Sequence, residues 1–182
     1  MQILTMPQAA LLTAEEFEEF SPPDDYRYEL VRGRIVRMSP PGPLHGGVGA
    51  ALTSLLHQHV RRHKLGFVSI ECGCILERNP DTVRGPDIAF IRRDRVPDGL
   101  PIKFFQGPPD LAVEVISFGD RRGEIQDKVD EYLAVGVLVV LTVHPVKRTV
   151  TVFRRLIPPV TLGVDDELDL DDVRATIIIA AH

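Results

Sequence analysis

Cysteine is nearly absent: the chain of 182 residues has two, Cys72 and Cys74, too few for a disulfide framework or a complete zinc site. Two positions apart on a strand they would point the same way, and a pair of buried, reduced thiols is expected. Long apolar runs are missing as well, since none approaches the ~18 residues of a membrane span. The opening stretch MQILTMPQAALLTAEEF lacks the basic segment and cleavage site of a secretory signal. A cytoplasmic protein with no membrane segment is the expectation. Positive charge is in deficit, with 21 Lys and Arg against 26 Asp and Glu and a net charge of −5, the wrong sign for a protein that coats nucleic acid non-specifically. The short clusters Arg61-Arg62, Arg92-Arg93-Asp94-Arg95, Arg121-Arg122, Lys147-Arg148 and Arg154-Arg155 read first as solvated faces, and they are compatible with a local basic groove.

What is present is an ordinary globular composition, 44% apolar and 26% charged, in a length that suits one domain over 1–182. Thr13 followed by Glu16 is a capping box that starts a short helix running to about Phe20. Residues 28–31 and 34–38 flank Arg32-Gly33, where the glycine permits the positive φ of a tight hairpin. After the break Pro40-Pro41-Gly42-Pro43, the spacing of Val48, Leu52, Leu55, Leu56 and Val60 predicts an amphipathic helix over 44–64. Its first half is rich in glycine and alanine, which allows close approach to a sheet or another chain. Strands are predicted over 66–76, 86–91 and 111–116, and a helix over 121–135 with Ile125, Val129, Tyr132 and Leu133 inward. Gly136 stops that helix. The apolar run 137–143 reads as a strand covered on both faces, with 149–154 paired beside it. The triplet Ile177-Ile178-Ile179 needs burial. The order of elements suggests a mixed sheet with helices on its faces, an α+β arrangement.

The segment PDLAVEVISFGD (109–120) sets Glu114 inside an apolar strand. A buried unpaired charge costs several kcal/mol, so Glu114 must be exposed at a strand end, paired with a cation, or bound to a metal. A second carboxylate, Asp87, stands at the mouth of the strand Ile88-Ala89-Phe90-Ile91, and Lys128 lies on the helix after Glu114. Two carboxylates on neighbouring strands can share a hard divalent cation, and a nearby lysine can steady an attacking hydroxide. Asp110 competes with Asp87, because the period of two puts it on the same strand face as Glu114. Pro-Asp occurs five times, at Asp24, Asp81, Asp87, Asp98 and Asp110, and turn chemistry explains most of these.

Four ordered motifs together carry a resemblance. They are Tyr28 to Val36 with Met38-Ser39-Pro40 and His45, Gly85 to Phe90, Pro109 to Ser117, and Lys128 to Val137. In these the chain resembles the Uma family of bacterial endonucleases, within the PD-(D/E)XK superfamily, over about residues 10 to 155. The resemblance implies a restriction-endonuclease-like mixed β-sheet flanked by helices with an N-terminal β-hairpin extension, and Mg²⁺- or Mn²⁺-dependent cleavage of nucleic acid, with DNA the expected substrate. It implies Asp87 and Glu114 as metal-binding carboxylates with the backbone oxygen of Val115 as a third ligand. It also implies Lys128 in place of the superfamily lysine, because Ile116 occupies the usual position, and Glu29 as a helper acid. His45 becomes a candidate phosphate contact, and Tyr132 shares the helix face of Lys128 one turn on. Phe118-Gly119-Asp120 and Val139-Val140 with His144-Pro145 depart from the family pattern, which bears on substrate shape.

Each of these residues has a plainer reading. Glu29 would be an exposed hairpin residue, His45 a helix-entry cap, Lys128 a solvated lysine, and Tyr132 core packing with a wet hydroxyl. Of His57, His59 and His63 only the last two share a helix face, which is too little for zinc. The alternative to an enzyme is a nuclease-fold module that binds nucleic acid or a protein without turnover. A homodimer is expected from the small-residue half of helix 44–64 and the apolar tail.

Overall fold

The computed structural model describes residues 11–22, 24, 26–170 and 173, and the backbone of 175–177. The capping box forms as the sequence predicts, opening the short helix α1 (Ala14–Glu18), with Thr13 Oγ1 accepting from the Glu16 N–H and Glu16 reaching back to the Thr13 N–H. Strands β1 (Arg27–Val31) and β2 (Arg34–Met38) pair antiparallel around Arg32 and Gly33, whose φ values of 49° and 73° are those of a two-residue hairpin turn matched to strand twist. β1 then pairs with β5 (Thr82–Arg84), and β5 with β4 (Cys74–Glu77), which runs parallel to the short β7 (Phe105–Gln106). The hairpin is thus one side of a five-stranded sheet in the order β2-β1-β5-β4-β7, on which α1 packs through Ala14 and Phe17 against Leu30, Ile75 and Val83.

A second, six-stranded sheet runs β11-β10-β9-β8-β6-β3. Its strands are β3 (Gly66–Ile70), β6 (Ile88–Arg92), β8 (Leu111–Val115), β9 (Val139–His144), β10 (Thr149–Arg154) and β11 (Ile157–Leu162). β8 and β9 are parallel, and a parallel pair needs a crossover, supplied here by α3 (Arg122–Ala134). Gly136 at φ 102° ends α3, with Val137 N–H donating to Tyr132 O and Gly136 N–H to Leu133 O in a Schellman arrangement. The second long helix, α2 (Pro43–His63), lays Leu52, Leu56 and Val60 on one face of the sheet, over Ile88, Phe90, Leu111, Val113, Val139 and Leu141. On the opposite face Val129 and Tyr132 of α3 pack with Ile91, Ala112 and Val140. Every residue of β8 is buried, and alternation divides it: 111, 113 and 115 face α2, whereas 112 and 114 face α3. Glu114 therefore sits under α3.

Two expectations need correction. The single strand over 66–76 is two strands in different sheets, because Glu71 takes a φ of 50° and turns the chain between β3 and β4. Leu55 is 43% exposed instead of inward, since at 100° per residue it lies at the rim of the stripe centred on Leu52, Leu56 and Val60. Past β11 the chain forms β12 (Leu168–Leu170), paired with β13 (Ala175–Ile177), and Leu168 and Leu170 enter the α2-side core. Ile178 and Ile179 lie outside the described residues. Among the described residues no helix is long and apolar enough to cross a membrane.

Candidate active site

Four separate segments bring acids together where the two sheets meet beside α3. Glu29 is on β1, Asp87 immediately precedes β6, Glu114 is on β8, and Lys128, Glu131 and Tyr132 follow one face of α3. Glu29 and Glu114 are 5% and 6% exposed, so neither is the surface residue of its plainer reading. Lys128 Nζ stands between them, 3.3 Å from Glu29 Oε1 and 3.4 Å from Glu114 Oε2. The Tyr132 hydroxyl, fully buried, donates to Glu114 Oε1 at 2.9 Å. Of the three answers to a carboxylate inside an apolar strand, the fold supplies the paired cation.

Sequence reasoning missed two members of this network. Arg84 Nη1 donates to Glu29 Oε2 at 2.8 Å and its Nε to Glu131 Oε2 at 2.6 Å, tying β5 and β1 to α3. The Gly85 N–H adds a bond to Glu29 Oε1 at 3.2 Å. Glu131 stood three residues after Lys128 on one helix face, and that spacing was the available signal. Arg84 carried none, since its partners are 55 and 47 residues away.

Asp87 is organised from the other side. Its Oδ2 accepts the Val115 N–H at 2.7 Å and lies 3.1 Å from His45 Nε2 in the first turn of α2, while Arg27 Nη1 is 3.7 Å from Oδ1. The Val115 peptide thus borders Asp87, and on a strand the N–H and C=O of one residue serve the same neighbour. His45 faces Asp87 instead of capping its helix, whose N-cap Gly42 has no side-chain bond. Tyr132 has no exposed surface with which to touch a substrate and reaches the cluster only through Glu114.

The competing acid is accounted for elsewhere. Asp110, 4% exposed, accepts from the Arg92 N–H at 2.9 Å and pairs with the side chains of Arg92 and Arg95, both at 3.1 Å, so it anchors the loop after β6. His59 and His63 stack with ring centroids 4.5 Å apart. Among the described residues no group of three His, Cys, Asp or Glu side chains is assembled around a common point. Cys72 and Cys74 are free thiols with Sγ atoms 3.9 Å apart.

The electrostatics separate the two buried glutamates. Burial pushes the Glu114 carboxyl up, Asp87 and Glu29 push the same way, and Lys128 and Tyr132 oppose them only in part, leaving it at about 7. Burial also pushes Glu29 up, but Lys128 and Arg84 outweigh it and hold that carboxyl below the usual range. Lys128 is likewise disfavoured by burial, yet Glu114 and Glu29 raise its pKa above the ordinary lysine value, so it stays protonated. One carboxylate is firmly ionised, one is poised near neutrality, and a fixed ammonium lies between.

A divalent cation fits this donor set. Mg²⁺ and Mn²⁺ take hard oxygen ligands and are commonly held by one or two carboxylates, with waters or phosphate completing the shell. Asp87, Glu114 and the Val115 carbonyl are such donors, and burial together with the charges of Asp87 and Glu29 disfavours the ionised Glu114 carboxylate, which a neighbouring divalent cation would favour.

The fold is shared with a solved structure, that of "a putative nuclease belonging to DUF820" from Anabaena variabilis ATCC 29413, at a TM-score of 0.79. The two chains are 20% identical, over 92% of this chain and 95% of that one. No curated protein matches the chain. The family model of Uma2, described as "Putative restriction endonuclease", matches residues 14–180. With residues 14–180 matched by that model, the chain belongs to the Uma2 family, described as "Putative restriction endonuclease".

Proposed function

We propose that this protein is a Mg²⁺- or Mn²⁺-dependent endonuclease that hydrolyses phosphodiester bonds of nucleic acid, with DNA the leading substrate. The observation that carries the reading is the convergence of Glu29 and Glu114, both buried, on one protonated lysine from three separated segments, with Asp87 bonded to the N–H of Val115 next to Glu114. A stable core would not gather these charges for packing alone, because replacing buried ion pairs by apolar groups is often neutral or stabilising.

Asp87 and Glu114, with the Val115 carbonyl, would hold the cation, which when bound would supply Lewis-acid polarisation of a phosphate oxygen and a more acidic water. Asp87 is aimed by the Val115 N–H and by His45, and Glu114 by the Tyr132 hydroxyl. Lys128 cannot serve as a proton acceptor while its pKa is held up by two glutamates, so it works as a fixed positive charge that orients the attacking oxygen and offsets developing negative charge. Glu29, kept ionised by Lys128 and Arg84, fixes the position of that ammonium. Calorimetric titration of Mn²⁺ into the wild type and Asp87→Ala tests the ligand assignment, and equal binding by both proteins refutes it. Incubation with single-stranded, duplex and branched DNA and with RNA, in Mn²⁺ and then EDTA, tests the reaction, and EDTA-sensitive cleavage of at least one substrate is expected.

One observation favours a second reading, a nuclease-fold module that binds without turnover. Both Glu114 oxygens already have partners, Tyr132 and Lys128, so the cluster is internally satisfied. Nucleic-acid binding with no EDTA-sensitive cleavage of any substrate selects that reading.

A further inference from the structure

Beyond the end of β8 the chain makes a tight turn, with the Ser117 N–H donating to Asp120 Oδ2 at 2.7 Å and the Asp120 N–H to Ser117 O at 3.2 Å. The turn presents Phe118 outward, and its exposure is 107%, as open as in an extended chain. The other large aromatic exposed among the described residues, Tyr26, is 38% exposed and lies under the Arg37 guanidinium, 3.4 Å from its ring centroid. Phe118 thus stands apart as a bare ring on a closed turn, and no cluster of the core includes it.

Its position gives it a use. Phe118 lies three residues after Val115, so its Cα is at most about 10 Å from that of Val115. This is within the reach of the nucleotides next to a phosphate that sits at the acid cluster. The next residues outward are Arg121 and Arg122, both exposed, Arg121 at 3.9 Å from Glu124. An exposed aromatic ring followed within four residues by two exposed arginines carries the groups that hold unpaired nucleotides, a ring to stack on a base and cations to meet the phosphates. Bases in an intact duplex are stacked on each other and cannot offer a face to such a ring unless extruded. A second copy of the chain is a poorer occupant, because a two-fold contact at this turn would bring Arg121 and Arg122 against their own equivalents.

We infer that Phe118, with Arg121 and Arg122, forms a stacking site for an unpaired nucleotide flanking the cleaved bond, so that the substrate is single-stranded or locally unpaired nucleic acid. This rests on the proposed nuclease reading for the identity of the neighbouring site. It is tested by binding rather than turnover. The chain contains no tryptophan, so Phe118→Trp installs the sole tryptophan, excited apart from the three tyrosines, at a fully exposed position. In EDTA and low salt, a short unstructured DNA strand is expected to quench its emission, and a hairpin-closed duplex of the same composition is not. Phe118→Ala is expected to weaken single-strand binding about five-fold or more, the ratio that corresponds to losing one stacked base, while Ile102→Ala, equally exposed elsewhere, changes nothing. Absence of quenching, equal quenching by duplex, or an unchanged affinity in Phe118→Ala overturns the inference, as does emission that shifts with protein concentration alone. Quenching without EDTA-sensitive cleavage removes the nuclease and leaves the stacking site, whereas cleavage without quenching removes the stacking site alone.

Discussion

Replacing Glu114 by glutamine isolates the electrostatic state of the cluster. In the folded protein this carboxyl titrates at about 7 against an ordinary 4.5. Between those values the native state binds more protons than the unfolded chain, so stability falls as pH rises from 4.5 to 7 and stays reduced above that. The difference corresponds to roughly 3 kcal/mol lost at pH 8 relative to pH 4. Glutamine mimics the neutral acid and keeps an acceptor for the Tyr132 hydroxyl, but its amide group faces Lys128, at a cost of about 1–2 kcal/mol at any pH. Glu114→Gln should therefore be slightly less stable than wild type at pH 5 and more stable by about 1–2 kcal/mol at pH 8. Between pH 5 and pH 8 the difference changes by about 2.5 kcal/mol, and at about 2–4 °C per kcal/mol for a chain of this size the difference in melting temperature should swing by roughly 5–10 °C. Thermal melts of both proteins in EDTA at pH 5, 6, 7 and 8 measure it. A difference that does not vary with pH means that Glu114 titrates as an ordinary carboxylate, and the description of the cluster fails. Repeating the pH 8 melts in millimolar Mn²⁺ should stabilise the wild type only, and an unchanged Mn²⁺ shift in the variant takes Glu114 out of the site.

Lys128→Met leaves Glu114 and Glu29 facing each other without their shared cation and should cost about 3 kcal/mol at pH 8 in urea unfolding. Because Lys128 lowers the Glu114 pKa, the loss should shrink towards pH 5, and an equal loss at both pH values would contradict the pairing. Asp110→Asn should lose about 2–4 kcal/mol of stability through Arg92 and Arg95 yet keep Mn²⁺ affinity, and a fall in that affinity would return Asp110 to the site. Gly46, Gly47, Ala50 and Ala51 of α2 are exposed next to Leu44 and Leu55, so the homodimer expected from the sequence has a face on which two helices could approach closely. Light scattering that returns a 20.3 kDa monomer at tens of micromolar excludes that assembly.

Much of the local structure was legible because it depends on neighbours in the chain. The capping box at Thr13, the turn at Arg32-Gly33, the stripe Leu52-Leu56-Val60 and the stop at Gly136 are decided within a few residues, and each forms as the spacing requires. The strand over 66–76 misled because nothing in its apolar content marks the positive φ of Glu71, which sends its two halves to different sheets. The short strands β5, β7 and β12 were invisible for a related reason: three residues or fewer carry no period.

For the site, the sequence by itself singled out the candidate groups: a glutamate in an apolar strand, an aspartate at the mouth of another, and a lysine on the following helix. Only the tertiary structure showed what stands opposite Asp87 and Asp110, which satisfy the same local pattern: the Val115 N–H and His45 for one, and Arg92 and Arg95 for the other. Tertiary structure likewise brought Arg84 to Glu29 and Glu131, and set Glu29 firmly ionised while leaving Glu114 near neutrality. The physical reason is range. Capping, turns and amphipathic stripes are settled by contacts within one or two turns of chain, whereas the ionisation of a buried acid depends on every charge within a few Å, and here those charges come from β1, β5, β6 and α3, up to 99 residues apart.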